Sequence, residues 1–89
     1  MDLQEAIIRG RFFFENAPQR LNVFKNVNGI NNSKEIAKRS KRSLVATLHD
    51  LKKMEELELI MLKRDIGGNV IKKDLASVYI KTPLVNAIP

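Results

Sequence analysis

The segment from Asn32 to Ile60, NSKEIAKRSKRSLVATLHDLKKMEELELI, limits the fold more than any other part of the chain. It reads as two helices separated by a tight polar break. Asn32 or Ser33 can cap the first, because a short polar side chain accepts a hydrogen bond from an opening-turn N–H that has no helical partner. Glu35, three residues beyond Asn32, has the spacing to complete a capping box. Ile36 and Ala37 begin the apolar pattern, and Ser40-Lys41-Arg42-Ser43 interrupts it. Ser43 is placed to cap a longer helix, in which Thr47, Leu51, Met54 and Leu57 recur at spacings of three and four. At Leu59-Ile60 the period shifts towards strand.

The flanks extend this reading. Residues 2–15 predict a helix, with Asp2 and Glu5 near its positive end. Leu3, Ile7 and Phe14 share a stripe. Phe12, Phe13 and Phe14 diverge by about 100° per residue, so they cannot all face one core. Either this helix packs on its own domain, or Leu3, Ile7, Phe12, Phe13 and Phe14 form a subunit interface, a role aromatic residues favour. Asn16 is expected to cap a further helix with Pro18 in its first turn. Leu21, Phe24 and Val27 line its apolar face, Gly29 ends it, and Ile30 is expected to be buried. Beyond Ile60, residues 59–65 and 77–82 predict strands, the latter from the alternation of Val78 and Ile80 with Tyr79 and Lys81. Gly67-Gly68-Asn69 is a hairpin turn signal, with no surrounding phosphate-loop spacing. Val70 to Asp74 is either a tip or a continuation of a twisted hairpin. Residues 84–89 form a short apolar tail.

Size and composition limit the chemistry. Eighty-nine residues form a single domain with a modest core, which disulfides, metal or association usually reinforce. There is no cysteine and one histidine, His49, so disulfides and a zinc centre are not expected. Association is what remains. No catalytic pairing of nucleophile and base is legible, and neither a cofactor site nor a pocket for a small-molecule effector stands out. Met1 to Glu5 lacks the basic start and apolar centre of a signal peptide, and no run reaches membrane-spanning length, so a cytoplasmic protein is expected.

The net charge of +6 is unevenly spread. Residues 1–33 are nearly balanced. Residues 34–53 carry Lys34, Lys38, Arg39, Lys41, Arg42, Lys52 and Lys53 against only Glu35 and Asp50. Glu55, Glu56 and Glu58 cluster at the far end of the long helix. Positive charge therefore gathers on the two-helix unit, as a polyanion partner requires.

Ile36-Ala37-Lys38-Arg39, Ser43, the run Leu51 to Leu57 and Leu59-Ile60 together resemble the core of winged helix-turn-helix regulators of the MarR/ArsR type. The resemblance is ungapped over about a third of the chain and extends more weakly to residues 18–83. It departs at Ser40 and Arg42, where the family usually has apolar residues, and at Glu58, where glycine is common. Leu44 or Val45 would then fill the space in the interhelical turn, and the turn into the first strand would be looser. The resemblance implies an α+β fold: a three-helix core, a β-hairpin wing and an additional N-terminal helix over residues 1–16. In such proteins Ile30 would belong to a short first strand. The tail over 84–89 is too short for the C-terminal dimerisation helix many relatives carry, which would leave dimerisation to the N-terminal helix.

The same resemblance implies a role for each basic element. Residues 43–57 would be the recognition helix, entering the major groove. Arg42, Ser43, Leu44, Val45, Leu48 and His49 would meet base edges, Arg42 by two hydrogen bonds to guanine worth about 1–3 kcal/mol of discrimination. Core packing is an equal alternative for Leu44, Val45 and Leu48. Lys34, Lys38, Lys41 and Lys52 would touch phosphates. Lys63 and Arg64 add positive charge to the hairpin over residues 63–75, and Lys72 and Lys73 would hold flanking backbone or minor groove. The leading expectation is thus a sequence-specific double-stranded DNA-binding transcription regulator acting as a homodimer. A winged-helix interaction module within a larger assembly and a nonspecific DNA- or RNA-binding protein are the alternatives.

Overall fold

The computed structural model describes residues 3–83; the side chains of Leu3 and Ala6 lie outside that description, as do the tail over 84–89 and hence Leu3's expected share in an interface. Four helices precede four short strands: α1 (Leu3–Phe14), α2 (Pro18–Lys25), α3 (Ser33–Arg39), α4 (Leu44–Glu56), β1 (Ile60–Leu62), β2 (Lys72–Lys73), β3 (Ala76–Ser77) and β4 (Tyr79–Lys81). The fold is α+β. The apolar stripes read from the sequence converge on one core of Val23, Val27, Ile36, Leu51, Met54, Leu59, Ile60 and Tyr79. Full burial of an aliphatic side chain such as Leu51 contributes about 1.5–3 kcal/mol. Phe13, Phe14, Phe24, Leu57 and Leu62 pack around it half-buried. Burial raises the Tyr79 phenol above its ordinary pKa, with the Glu55 carboxylate adding to the shift.

The capping box at the start of α3 forms as expected. Asn32 Oδ1 accepts the Glu35 N–H at 2.8 Å, and Glu35 Oε1 accepts the Asn32 N–H at 3.1 Å. The Lys73 ammonium then closes on the same carboxylate at 3.0 Å. The Asn32 backbone bond, and next the Lys73 hydrogen bond, hold the Glu35 carboxyl below the usual carboxylate range. A pKa depressed by folding stabilises the native state above the unfolded pKa, and the gain is lost as pH falls through the folded value. Thermal midpoints measured across the acid range should therefore fall more steeply for the wild type than for Glu35→Gln. Identical pH profiles would contradict the linkage.

Two helix C-termini, those of α3 and α4, end in the same device without glycine. Lys41 follows α3 with φ 54°, the Lys41 N–H bonds to Lys38 O and the Arg42 N–H to Ala37 O. Glu58 follows α4 with φ 61°, its N–H bonds to Glu55 O, and the Leu59 N–H bonds to Met54 O at 2.9 Å. Both are Schellman turns, a geometry that usually takes glycine because a Cβ is disfavoured in the left-handed region. The looser turn expected from the absence of glycine at 58 is therefore corrected: the turn is tight and Glu58 carries the strain. Glu58→Gly should stabilise the domain by about 1 kcal/mol in denaturant unfolding, less what the flexible unfolded chain takes back. A loss of stability would contradict this geometry.

Other local expectations are corrected by asparagines. Ala17, not Asn16, is the N-cap of α2, with Pro18 in the first turn as expected; Asn16 has φ 55°. The helix ends at Lys25, before Gly29, because Asn28 Oδ1 accepts the N–H groups of Ile30 and Asn31 and folds the chain away. Ile30 is consequently 68% exposed rather than buried. Gly29, at φ 80°, instead donates its N–H to Tyr79 O, and a Cβ there would lie 3.2 Å from Ile80. The short first strand reduces to one antiparallel bridge between Asn32 and Val78.

The hairpin has two turns rather than one. β1 pairs antiparallel with β4, matching Met61 to Ile80. The chain then passes an Arg64–Val70 bridge around the glycine turn, and β2 pairs with β3 around Asp74-Leu75. Those two residues have φ 52° and 67°, as a two-residue hairpin of matching twist needs. Three strands meet where Lys63 N–H bonds to Val78 O, Val78 N–H to Ile71 O, and Ile71 N–H to Lys63 O. The second turn is fastened to the start of α3: Asn32 Nδ2 donates to Lys73 O at 2.6 Å, and Lys34 Nζ donates to Asp74 O at 3.1 Å.

Candidate nucleic-acid interface

The start of α4 is set by Ser43, whose hydroxyl accepts the Ala46 N–H at 3.1 Å. From that start, helical geometry turns Thr47, Leu51 and Met54 into the core and leaves Leu44, Val45, Leu48 and Lys52 along one exposed face. Leu44 and Leu48 are 42% and 43% exposed, and Val45 is 80% exposed. The choice between core packing and an outward position for these three is thereby decided in favour of the outward one.

The space that Leu44 or Val45 was expected to fill is occupied by an ion pair. Arg42 Nε donates to Asp50 Oδ2 at 2.6 Å, and Arg42 Nη1 donates to Gln19 Oε1 at 2.6 Å. The Asp50 side chain is 2% exposed, and Arg20 approaches it at 3.9 Å. A buried carboxylate must be paired, and Arg42 pairs it. Arg42 thus already joins α4 to α2, which leaves it fewer free donors for the guanine contact expected of it.

The remaining basic candidates divide by what they touch. Lys63 Nζ donates to Gly29 O at 2.8 Å and Arg64 Nη1 to Gly68 O at 2.8 Å. Lys73 is paired with Glu35, and Lys34 is held on the second hairpin turn. Lys38, Lys41, Lys52 and Lys72 are exposed and enter no ion pair or side-chain hydrogen bond among the described residues. Lys38 and Lys41 line a groove of about 470 Å³ with Arg39 and Glu35, so Arg39 joins the candidate surface although the sequence assigned it no role. His49 is exposed on α4 one turn beyond Val45, at the edge of the Leu44–Lys52 face. It lines a groove of about 370 Å³ between α1 and α4 with Arg9, Phe12, Phe13 and Lys53.

The expected interface on α1 is also rearranged. Phe14 packs on Phe24 with ring centres 5.0 Å apart, and Arg20 sits 4.9 Å over the Phe13 ring. Ile7 is half-buried. Phe12 is 77% exposed, and Ile8, one turn earlier, stands out beside it. Ile8 lies off the Leu3–Ile7–Phe14 stripe, so the apolar periodicity does not single it out. Among the described residues no cluster suited to a metal ion occurs, and no helix is long and apolar enough to cross a membrane. No protein-family model, curated protein or solved structure matches the chain.

Proposed function

We propose that the chain is a winged helix-turn-helix protein that binds double-stranded DNA as a homodimer and regulates transcription. In this reading α2, α3 and α4 are the three-helix core, α3 and α4 form the helix-turn-helix, and the strands after α4 are the wing. The observation that carries it is the outward face of α4, where Leu44, Val45, Leu48 and Lys52 stand clear of the core beside the exposed ammonium groups of Lys38 and Lys41. A helix presenting one side beyond its domain can enter the major groove, with the flanking ammonium groups on phosphates. Base reading then depends on aliphatic contact with thymine methyls more than on hydrogen bonds. Ile8 and Phe12 supply the pairing surface, and a twofold dimer presents its helices about 34 Å apart.

Selection from a random duplex pool, paired with a mass measurement in solution, tests this. Enrichment of one inverted repeat by a protein of twice the monomer mass is the expected result. Enrichment of nothing contradicts sequence-specific reading. The same three exposed aliphatic side chains favour a second reading, a module that docks on an acidic protein; it is supported if no duplex is retained at any salt concentration.

A further inference from the structure

We infer that Ile66, at the tip of the first hairpin turn, is a wedge that enters the minor groove between base pairs and kinks the bound duplex. The inference rests on the DNA-binding reading above and assigns the hairpin tip a task of its own. Ile66 is fully exposed, at a position where turns ordinarily take glycine, asparagine, aspartate or proline. It contributes nothing to the core, and burial on a partner is what a projecting aliphatic side chain gains most from.

The turn that displays it is fixed from several directions. The Asn69 N–H bonds to Asp65 Oδ1 at 2.9 Å, and the Asp65 N–H bonds to Asn69 O at 2.9 Å. The Gly68 N–H bonds to Asp65 O at 3.0 Å, with Gly68 at φ 82°, and Arg64 Nη1 donates to Gly68 O. A wedge on a preorganised turn loses little conformational freedom on insertion. Arg64 and Asn69 flank it, and both are exposed. Guanidinium and amide groups read the minor groove, and a single aliphatic side chain is enough to part a base step. One isoleucine offers too little apolar area to anchor the chain in a lipid surface. The second hairpin turn is tied to α3 by Asn32, Lys34 and Lys73, which leaves the first as the projecting tip.

The test uses the full chain and a 30-base-pair-scale duplex (about three helical turns) with flexible TA steps, a fluorophore at each end and 2-aminopurine at the central step. Wild type should shorten the end-to-end distance by the equivalent of a bend of about 20° or more and raise the 2-aminopurine signal. Ile66→Ala should abolish both, weaken binding about tenfold and keep the wild-type salt slope and thermal midpoint. Wild-type binding without bending, or equal bending by Ile66→Ala, overturns the wedge and leaves the DNA-binding reading standing. Absence of any wild-type duplex binding overturns both. Loss of binding to phosphatidylserine vesicles in Ile66→Ala, with duplex bending unchanged, overturns the wedge in favour of a lipid contact.

Discussion

Arg42→Ala should destabilise the domain by about 3–5 kcal/mol, because it leaves the Asp50 carboxylate buried and without its closest partner. A domain of this size has a total stability of roughly 5–13 kcal/mol, so much of the variant would be unfolded on mild warming. Arg20, 43% exposed and 3.9 Å away, is too distant and too solvated to replace it. Replacing both members with apolar residues, Arg42→Met with Asp50→Leu, should recover most of the loss, since the penalty comes from the orphaned charge rather than from a missing attraction. Denaturant unfolding of the two single variants and the double variant gives the coupling directly. A base-reading Arg42 makes the opposite forecast: unchanged stability with relaxed sequence choice. That result would return the residue to the interface.

The second large effect concerns binding alone. Lys38, Lys41 and Lys52 are exposed and carry no ion pair among the described residues, so replacing all three with glutamine should leave the thermal midpoint near the wild-type value. Every phosphate that is no longer neutralised makes the log–log salt slope shallower by about 0.9, and three together should weaken duplex binding by roughly 10²–10³-fold at about 0.1 M salt. Lys73→Gln, by contrast, removes a partner of Glu35, and its effect should appear in stability rather than in affinity. Fluorescence anisotropy with a labelled duplex separates the cases. A triple variant that binds as tightly as wild type would remove these lysines from the surface.

The parts of this molecule legible in its sequence are those decided within a few residues. The capping box at Asn32 and Glu35, the Ser43 cap, the Thr47–Leu51–Met54 stripe and the glycine turn all depend on neighbours in the chain. The turn between α3 and α4 is polar at Ser40 and Arg42. What fills it was not legible, because Arg42 is satisfied by Gln19, 23 residues earlier, and by an aspartate that reads as surface charge until the fold buries it. Asp74 is a common turn residue but Leu75 is not, so the pair does not announce the two-residue turn that takes positive φ at both positions. Within the candidate interface, charge alone did not separate Lys38 and Lys52 from Lys34, Lys63 and Lys73. The distinction lies in which backbone carbonyl or carboxylate each ammonium meets in three dimensions.

On the DNA-binding proposal, the cations beside the outward face of α4 meet phosphates. Wild-type affinity for duplex DNA, measured as a function of salt concentration, addresses it most directly. With Lys38, Arg39, Lys41, Lys52 and Lys72 as the cations available to phosphate, the log–log slope should lie near −4 to −5 per subunit, as expected when about five phosphates are neutralised. A flat dependence, or no duplex binding in the most dilute salt, would contradict it.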